Sequence, residues 1–341
     1  MTYHNILIVK LSAIGDVVHA LPVAHALKTC FPAARITWVV EKPAYDLLTH
    51  HPDIDEIIVF DKPKFKSVAG FIKQTPDFIR KLRSRHFDLA LDLQGLFKSA
   101  VIAFASGAKH RLVYENTREI SDWFSQRICG PNCHGHVVER YLDVVRALDC
   151  EPKEPVFTFV LTPREQEMAV AAAAQAGLDM SRRYAILAPG TNWPNKCWPT
   201  THFTALCDRL FDEGLIPVIV GGAKDHQLYN AIAAGTVVPP VDLIGKTTLK
   251  QLIHIIRGAR VFVGGDTGPL HLAAAIGTPV VGLYGPTDTS RNGPYGKEHT
   301  TLVANRECAG CWQRSCPRGE DCLSVISVSA VYDAIKMLLE R

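Results

Sequence analysis

No stretch of this 341-residue chain stays apolar for the roughly 18 residues that a bilayer-spanning helix needs, which excludes a helical membrane span. The start of the chain also lacks the charged flank, long apolar core and small-residue cleavage site of a secretory leader. It runs straight into a five-residue apolar strand, so a cytoplasmic location is expected, with the ten cysteines mostly reduced thiols. The charge surplus is only +3, which excludes a strongly basic nucleic-acid binder as the default reading. There is no short-period repeat and no low-complexity tract. Two phosphate-binding fingerprints are missing as well: no G-x-G-x-x-G follows either leading strand, and no G-K-[ST] follows a glycine-rich loop.

What the chain has is a 47% hydrophobic composition, enough for a large interior, at a length beyond one ordinary core, so two domains are expected. Short apolar runs occur at 6–10, 35–40, 57–60, 89–93 and 112–114. A second series lies at 185–188, 216–221, 241–244, 261–264 and 280–284. Gly, Pro and Asp bound them and helix-length segments separate them, a pattern that predicts parallel sheets built from βαβ units. The Pro- and charge-rich stretch 151–155 reads as a linker, 163–176 as an alanine-rich helix and 327–340 as an amphipathic terminal helix. The expected organisation is a first domain over 1–155, a second over 156–326, and a terminal helix in 327–341 able to pack back on the first. The positive surplus falls within 1–150. Residues 62–85 hold eight basic side chains and one acid, Asp77, which reads either as a solvated helix face or as a dock for an anionic acceptor or membrane surface.

Two strand-to-helix turns, one in each half, carry the chemistry. The first ends in Ala13-Ile14-Gly15-Asp16 and the second in Gly264-Gly265-Asp266-Thr267-Gly268-Pro269. Open α/β sheets build ligand sites at such places, at the carboxyl ends of strands and beside helix N-termini. Asp16 is either a helix N-cap or a general base within reach of an attacking hydroxyl. In the second turn Asp266 and Thr267 can cap the helix, Gly268 lets the backbone approach a ligand, and Pro269 suits the first helical turn. The free N–H groups and the helix dipole there favour a phosphate, and His271, one turn further on, can reach the same ligand. A third element, residues 188–199, opens at the end of the first strand of the second half. Thr191 can donate to a phosphate oxygen and Lys196, between Trp193 and Trp198, can supply a point charge; the alternative is an ordinary Trp-packed loop.

Together, K-L-S-A-I-G-D at 10–16, P-G-T…K-x-W-P at 189–199, G-D-T-G-P-L-H-L-A-A-A at 265–275 and Y-G-P-T-D at 284–288 resemble the heptosyltransferases of glycosyltransferase family 9. The D-x-Q-G-L-x-K-S segment at 92–99, N-T-R-E at 116–119 and H-V-V-E-R at 136–140 are similar to the heptosyltransferase I branch. The resemblance implies a GT-B fold of two Rossmann-like domains facing across a cleft, the first binding the acceptor and the second the nucleotide sugar. It implies inverting transfer of heptose from ADP-heptose to the Kdo/heptose inner core of lipopolysaccharide, with no required metal or cofactor. Asp16 would be the base and Lys196 would stabilise the departing diphosphate. Thr191, Lys196, Asp225, Asp266, Thr267, Gly268 and His271 would hold the donor. Lys62, Lys64, Lys66, Arg118, His136 and Arg140 would hold the acidic acceptor, Kdo-lipid A or lipopolysaccharide core. A half-lipid acceptor implies peripheral contact with the inner face of the inner membrane and no nucleic-acid partner. The other readings are a different donor or surface glycan, or a non-catalytic nucleotide-sugar binder. Cys308, Cys311, Cys316 and Cys322 depart from the best-known branch pattern. They can bind a structural zinc through tetrahedral thiolates, form disulfides, or simply pack a loop; their spacing is not that of a standard zinc ribbon.

Overall fold

Strands of a parallel sheet are covered on both faces and so need continuous apolar runs. Such runs open each half of the chain. The computed structural model describes residues 2–65, 67–115, 117, 119 and 121–340, and it divides into two units, Met1–Val160 and Leu161–Arg341.

In the first unit the strands are β1 (Asn5–Val9), β2 (Arg35–Glu41), β3 (Glu56–Phe60), β4 (Leu89–Asp92), β5 (His110–Tyr114) and β6 (Gln126–Ile128). They form one parallel sheet in the order β3-β2-β1-β4-β5-β6. The helices are α1 (Ile14–Cys30), α2 (Val68–Arg83), α3 (Phe97–Ala105) and α4 (Val137–Arg146). Eleven of the seventeen residues of α1 are buried, so this helix is enclosed on most sides rather than amphipathic. Cys30, at its end, is disulfide-bonded to Cys150, with Cα atoms 6.0 Å apart. The other eight cysteines are free thiols.

The second unit repeats the plan with β7 (Tyr184–Ala188), β8 (Ile216–Ile219), β9 (Val241–Asp242), β10 (Val261–Gly265), β11 (Val280–Tyr284) and β12 (Thr300–Val303). The order β12-β11-β10-β7-β8-β9 is the same winding read from the other edge. Its helices are α5 (Pro163–Gln175), α6 (Thr200–Asp212), α7 (His226–Ala233), α8 (Leu249–Gly258), α9 (Gly268–Ala275), α10 (Thr289–Asn292) and α11 (Val328–Leu339). Local chemistry sets several starts. Thr162 accepts from the Glu165 N–H while Glu165 bonds back to the Thr162 N–H, with Pro163 in the first turn; Thr248 and Gln251 do the same for α8.

The terminal helix α11 buries Val331, Ala334, Ile335 and Leu338 in one cluster with Phe203, Leu206 and Leu210 of α6, and Tyr332 bonds Glu213. Its apolar face is spent on the second unit's core. By contact the segment 327–341 belongs to the second unit. The boundary falls at 160/161, just before the capped start of α5. No helix among the described residues is long and apolar enough to cross a membrane.

In both sheets the strand order reverses direction beside the first strand, between β1 and β4 and between β7 and β10. Ligands of doubly wound sheets bind at the carboxyl ends of the strands at this point.

Candidate functional site

At the carboxyl end of β1 the chain crosses Leu11–Ala13 before α1. The Gln94 Oε1 accepts from the Leu11 and Ser12 N–H groups at 3.0 and 3.1 Å, which holds this crossing against the end of β4. Gln94 is itself set by Asp92, whose Oδ1 accepts from the Gln94 and Gly95 N–H groups, each at 3.0 Å. The N-cap of α1 is Ala13, not Asp16. Asp16 lies in the first turn, half-buried, and its Oδ2 accepts from the Ala13 N–H at 3.1 Å. The second carboxylate oxygen is thus free of that bond. Beneath it, the buried Lys10 donates to the Leu93 carbonyl at 3.0 Å and to the Tyr141 hydroxyl at 2.8 Å. Burial works against the Lys10 ammonium, but Tyr141, Asp16 and Asp92 outweigh it and raise its pKa. Sequence reasoning did not single out Lys10 or Gln94. The available signal was a lysine and a glutamine at the ends of two neighbouring buried strands.

The expected acceptor residues distribute as follows. His136 caps α4, its Nδ1 accepting from the Val138 N–H at 3.2 Å, and its ring meets His19 of α1 edge-on at 5.4 Å. That contact brings it one turn along α1 from Asp16. Arg140 donates through Nε to the Gly135 carbonyl at 2.8 Å. Lys62 and Lys64 are exposed on a short turn that follows β3, anchored by Phe65 stacked on Phe60 at 4.7 Å; Lys64 pairs with Asp61 at 3.1 Å. Lys66 and Arg118 lie outside the described residues.

The second unit gathers its residues tightly around β7 and β10. Lys196 Nζ pairs with Asp266 Oδ2 at 2.6 Å, and His271 Nε2 bonds Asp266 Oδ1 at 2.8 Å. Lys196 also lies over the Trp193 ring at 4.1 Å. Burial alone would raise the Asp266 pKa. The His271 hydrogen bond and charge, together with Lys196, overcome it and hold the carboxyl well below the usual range. Gly265 is required here, because a Cβ at that position would collide with the Lys196 carbonyl oxygen. Thr267 is the N-cap of α9 but its side chain makes no cap bond; its Oγ1 is buried without a hydrogen-bond partner among the described residues. Beside it, the α9 N-terminus presents Gly268 and Pro269. The hydroxyl of Thr287, just past β11, is likewise buried and unpartnered, a residue the sequence reading did not select.

Thr191 behaves differently from its expectation. Its hydroxyl donates to the Trp193 carbonyl at 2.6 Å and accepts from the Trp193 N–H at 3.2 Å, so it shapes its own loop. Asp225 is buried after β8; its Oδ2 accepts from the Gly222 N–H at 2.8 Å and its carboxylate packs so closely on Gly190 that a Cβ there would clash. The 189–199 loop is thereby tied down from several sides: Asp225 against Gly190, Lys224 to Asn192 at 2.9 Å, Lys196 to Asp266, and Asn195 to the Gln313 carbonyl. The chemistry this allows is anion binding. A helix N-terminus, an orphan hydroxyl, an ammonium and an imidazole converge, and a buried carboxylate orients the last two.

Of the four late cysteines, Cys322 is buried, Cys308 and Cys316 are half-buried, and Cys311 is exposed; all are free thiols. Burial pushes the Cys322 thiol up, against the Arg306 charge, and the other three thiols add to the rise. Among the described residues no three His, Cys, Asp or Glu side chains are grouped to hold a metal ion. A cavity of about 560 Å³ in the first unit is lined by Tyr3, His110, Arg111, Trp123 and Asp149. It sits at the amino-terminal ends of the strands, away from Asp16.

Comparison with known proteins gives concordant results. The family model described as glycosyltransferase family 9 (heptosyltransferase) matches residues 76–320. Lipopolysaccharide heptosyltransferase 1 of Pseudomonas aeruginosa is 29% identical over 328 residues, which cover 93% of this chain and 89% of that protein. Among solved structures, the glycosyl transferase family 9 protein of Veillonella parvula aligns with a TM-score of 0.86 at 22% identity, over 99% of this chain and 98% of the other. The Escherichia coli ADP-heptose lipopolysaccharide heptosyltransferase II aligns with a TM-score of 0.80 at 24% identity, over 98% of each. At these identities the two structures speak to fold.

Proposed function

The chain belongs to glycosyltransferase family 9, and from that premise we propose that it transfers heptose from ADP-heptose to the inner core of lipopolysaccharide. Support for heptose transfer to lipopolysaccharide comes from the heptosyltransferase 1 relative, and ADP-heptose is the donor that the family resemblance implies. The observation that carries the reading is the anion cradle on β10 and α9: Thr267 with a hydroxyl lacking a partner, and Lys196 and His271 aimed by Asp266.

In this reading the diphosphate lies at the α9 N-terminus. The Gly268 region, Lys196, His271 and Thr267 bind it, and Asp225 stands near the ribose. The acceptor is held by the first unit, with Lys62, Lys64, Lys66, Arg118, His136 and Arg140 facing its acidic sugar. Asp16 takes the proton from the acceptor hydroxyl as that oxygen attacks the anomeric carbon from the face opposite ADP, so the configuration inverts. The bond to ADP breaks through an oxocarbenium-like transition state, and the negative charge that grows on the diphosphate meets Lys196 and the backbone N–H groups. Lys196 supplies the charge that a metal would otherwise bring, so metal-independent transfer is expected. Thr191 acts through the shape of its loop. Transfer requires the two bound substrates to be brought into line and shielded from water, the role of domain closure in such reactions.

The test is direct. Purified protein is mixed with ADP-heptose, with and without Kdo-lipid A, in chelator, and released ADP and product mass are followed. ADP release that depends on acceptor, with a heptose-sized mass gain, is the expected result. Binding of ADP-heptose with no release against any inner-core acceptor would leave a nucleotide-sugar binder, and release only with another sugar nucleotide would replace the donor.

A further inference from the structure

The segment between β12 and α11, which carries Cys308, Cys311, Cys316 and Cys322, folds back against the 189–199 loop and the turn after β11. Three hydrogen bonds seat it. The Gly310 N–H donates to the Gly285 carbonyl at 2.8 Å and the Trp312 N–H to the Pro286 carbonyl at 2.7 Å, while the Gln313 carbonyl accepts from the Asn195 side chain. The chain bends here through two left-handed residues, Gly310 and Trp312, with φ of 78° and 57°. That conformation is costly for a residue as bulky as tryptophan, so it persists only where packing holds it. The Trp312 ring lies 4.9 Å beneath the Arg291 guanidinium. Arg306 closes the base of the segment, donating to the Cys322 carbonyl at 3.2 Å and pairing with Glu320. Arg314 is thereby placed beside the anion cradle. Its guanidinium lies 5.7 Å from the Trp193 ring, the same ring that Lys196 approaches to 4.1 Å. Arg314 is exposed and makes no ion pair and no hydrogen bond among the described residues.

We propose that Arg314 is a further donor-binding residue, whose guanidinium meets the diphosphate of the nucleotide sugar. Charge balance favours it. Lys196 and Asp266 neutralise each other at 2.6 Å, and His271 is bonded to the same carboxylate. A diphosphate set against that trio meets little net positive charge, and its own negative charge grows as the bond to the sugar breaks. The cradle therefore needs a cation that is not already spent on a carboxylate. A guanidinium suits the task, because its fork of N–H donors matches phosphate oxygens. Packing on Trp193 restricts where the side chain can go without consuming those donors. The cysteine-bearing segment then has a role at the site: it delivers a cation to the loop that already holds Lys196. This inference rests on the donor reading above and adds a residue to it.

The experiment is a calorimetric titration of the full chain with ADP, in the absence of acceptor. Arg314→Gln should weaken ADP binding about tenfold, with Tm unchanged because the side chain is exposed and unpaired. The gap between wild type and Arg314→Gln should narrow as salt is raised. Arg318→Gln, on the same exposed segment, should bind ADP as wild type does. Equal ADP affinity in wild type and Arg314→Gln would overturn the proposal. So would an equal loss in Arg318→Gln, which would make the effect a diffuse charge of the segment. A loss in Arg314→Gln accompanied by a lower Tm would also overturn it, giving Arg314 to the stability of the loop. Lys196→Ala separates this proposal from the donor reading. Wild-type binding that Lys196→Ala weakens and Arg314→Gln does not would keep the donor site and remove Arg314 from it; wild-type protein that binds neither ADP nor ADP-heptose would remove both.

Discussion

The two strand-to-helix turns look alike in sequence and differ in electrostatics. Each has a buried strand, a glycine and an aspartate ahead of a helix. In the first unit Asp16 is half-buried and takes one hydrogen bond, from the Ala13 N–H. In the second, Asp266 is enclosed and shared between Lys196 and His271. A carboxylate held far below its usual pKa is a poor proton acceptor at neutral pH, and Asp266 instead orients Lys196 and His271. The same local pattern thus leaves a half-buried carboxylate in one unit and an enclosed, doubly paired one in the other.

If Asp16 is the base proposed above, replacing it has the largest effect. Asp16→Asn is expected to lower kcat by about 10²–10⁴ with ADP affinity retained, as read by ADP release and calorimetry. Near-normal turnover would remove the contrast. Lys196→Ala should cost about 10²–10³ in kcat, the range for a donor that meets developing charge; a change in donor KM alone would show that Lys196 binds but does not stabilise the transition state.

Asp266→Asn tests the enclosed carboxylate. Breaking a buried pair from one side should cost about 3 kcal/mol of stability at neutral pH. The sign with pH follows from the depressed folded pKa. The Asp266 contribution is fully present above the ordinary carboxyl pKa of about 4 and is lost as pH falls below it. The Tm gap between wild type and Asp266→Asn should therefore shrink as the pH is lowered from about 5 to about 2; a constant gap would count against the depressed value. The smallest effect is expected at His136. His136→Ala removes the cap on α4, about 1 kcal/mol, and should raise KM for the acceptor with little change in kcat.

Ten strands were legible because each is an apolar run bounded by turn residues. β6 and β12 were not. Gln126-Arg127-Ile128 and Thr300-Thr301-Leu302-Val303 are short and largely polar, and they exist because β5 and β11 offer an edge to pair with. At the two turns, the presence of Asp16 in the first unit and of Lys196, Asp266 and His271 in the second was readable from the sequence. The inward turn of the Thr191 hydroxyl was not, nor was the orphan hydroxyl of Thr287, since both depend on which backbone groups come within reach. The Cys30–Cys150 bond, 120 residues apart in sequence, is of the same kind: it follows from where α1 ends relative to the turn after α4.

The sequence alone determined the doubly wound plan of each half and the positions of its ligand-facing turns, because strand periodicity, capping and glycine conformation act over a few residues. Tertiary structure alone decided which aspartate stays available and which is locked. Lys196 and Asp266 are 70 positions apart, and burial and Coulomb attraction depend on distance in space, which no local pattern encodes.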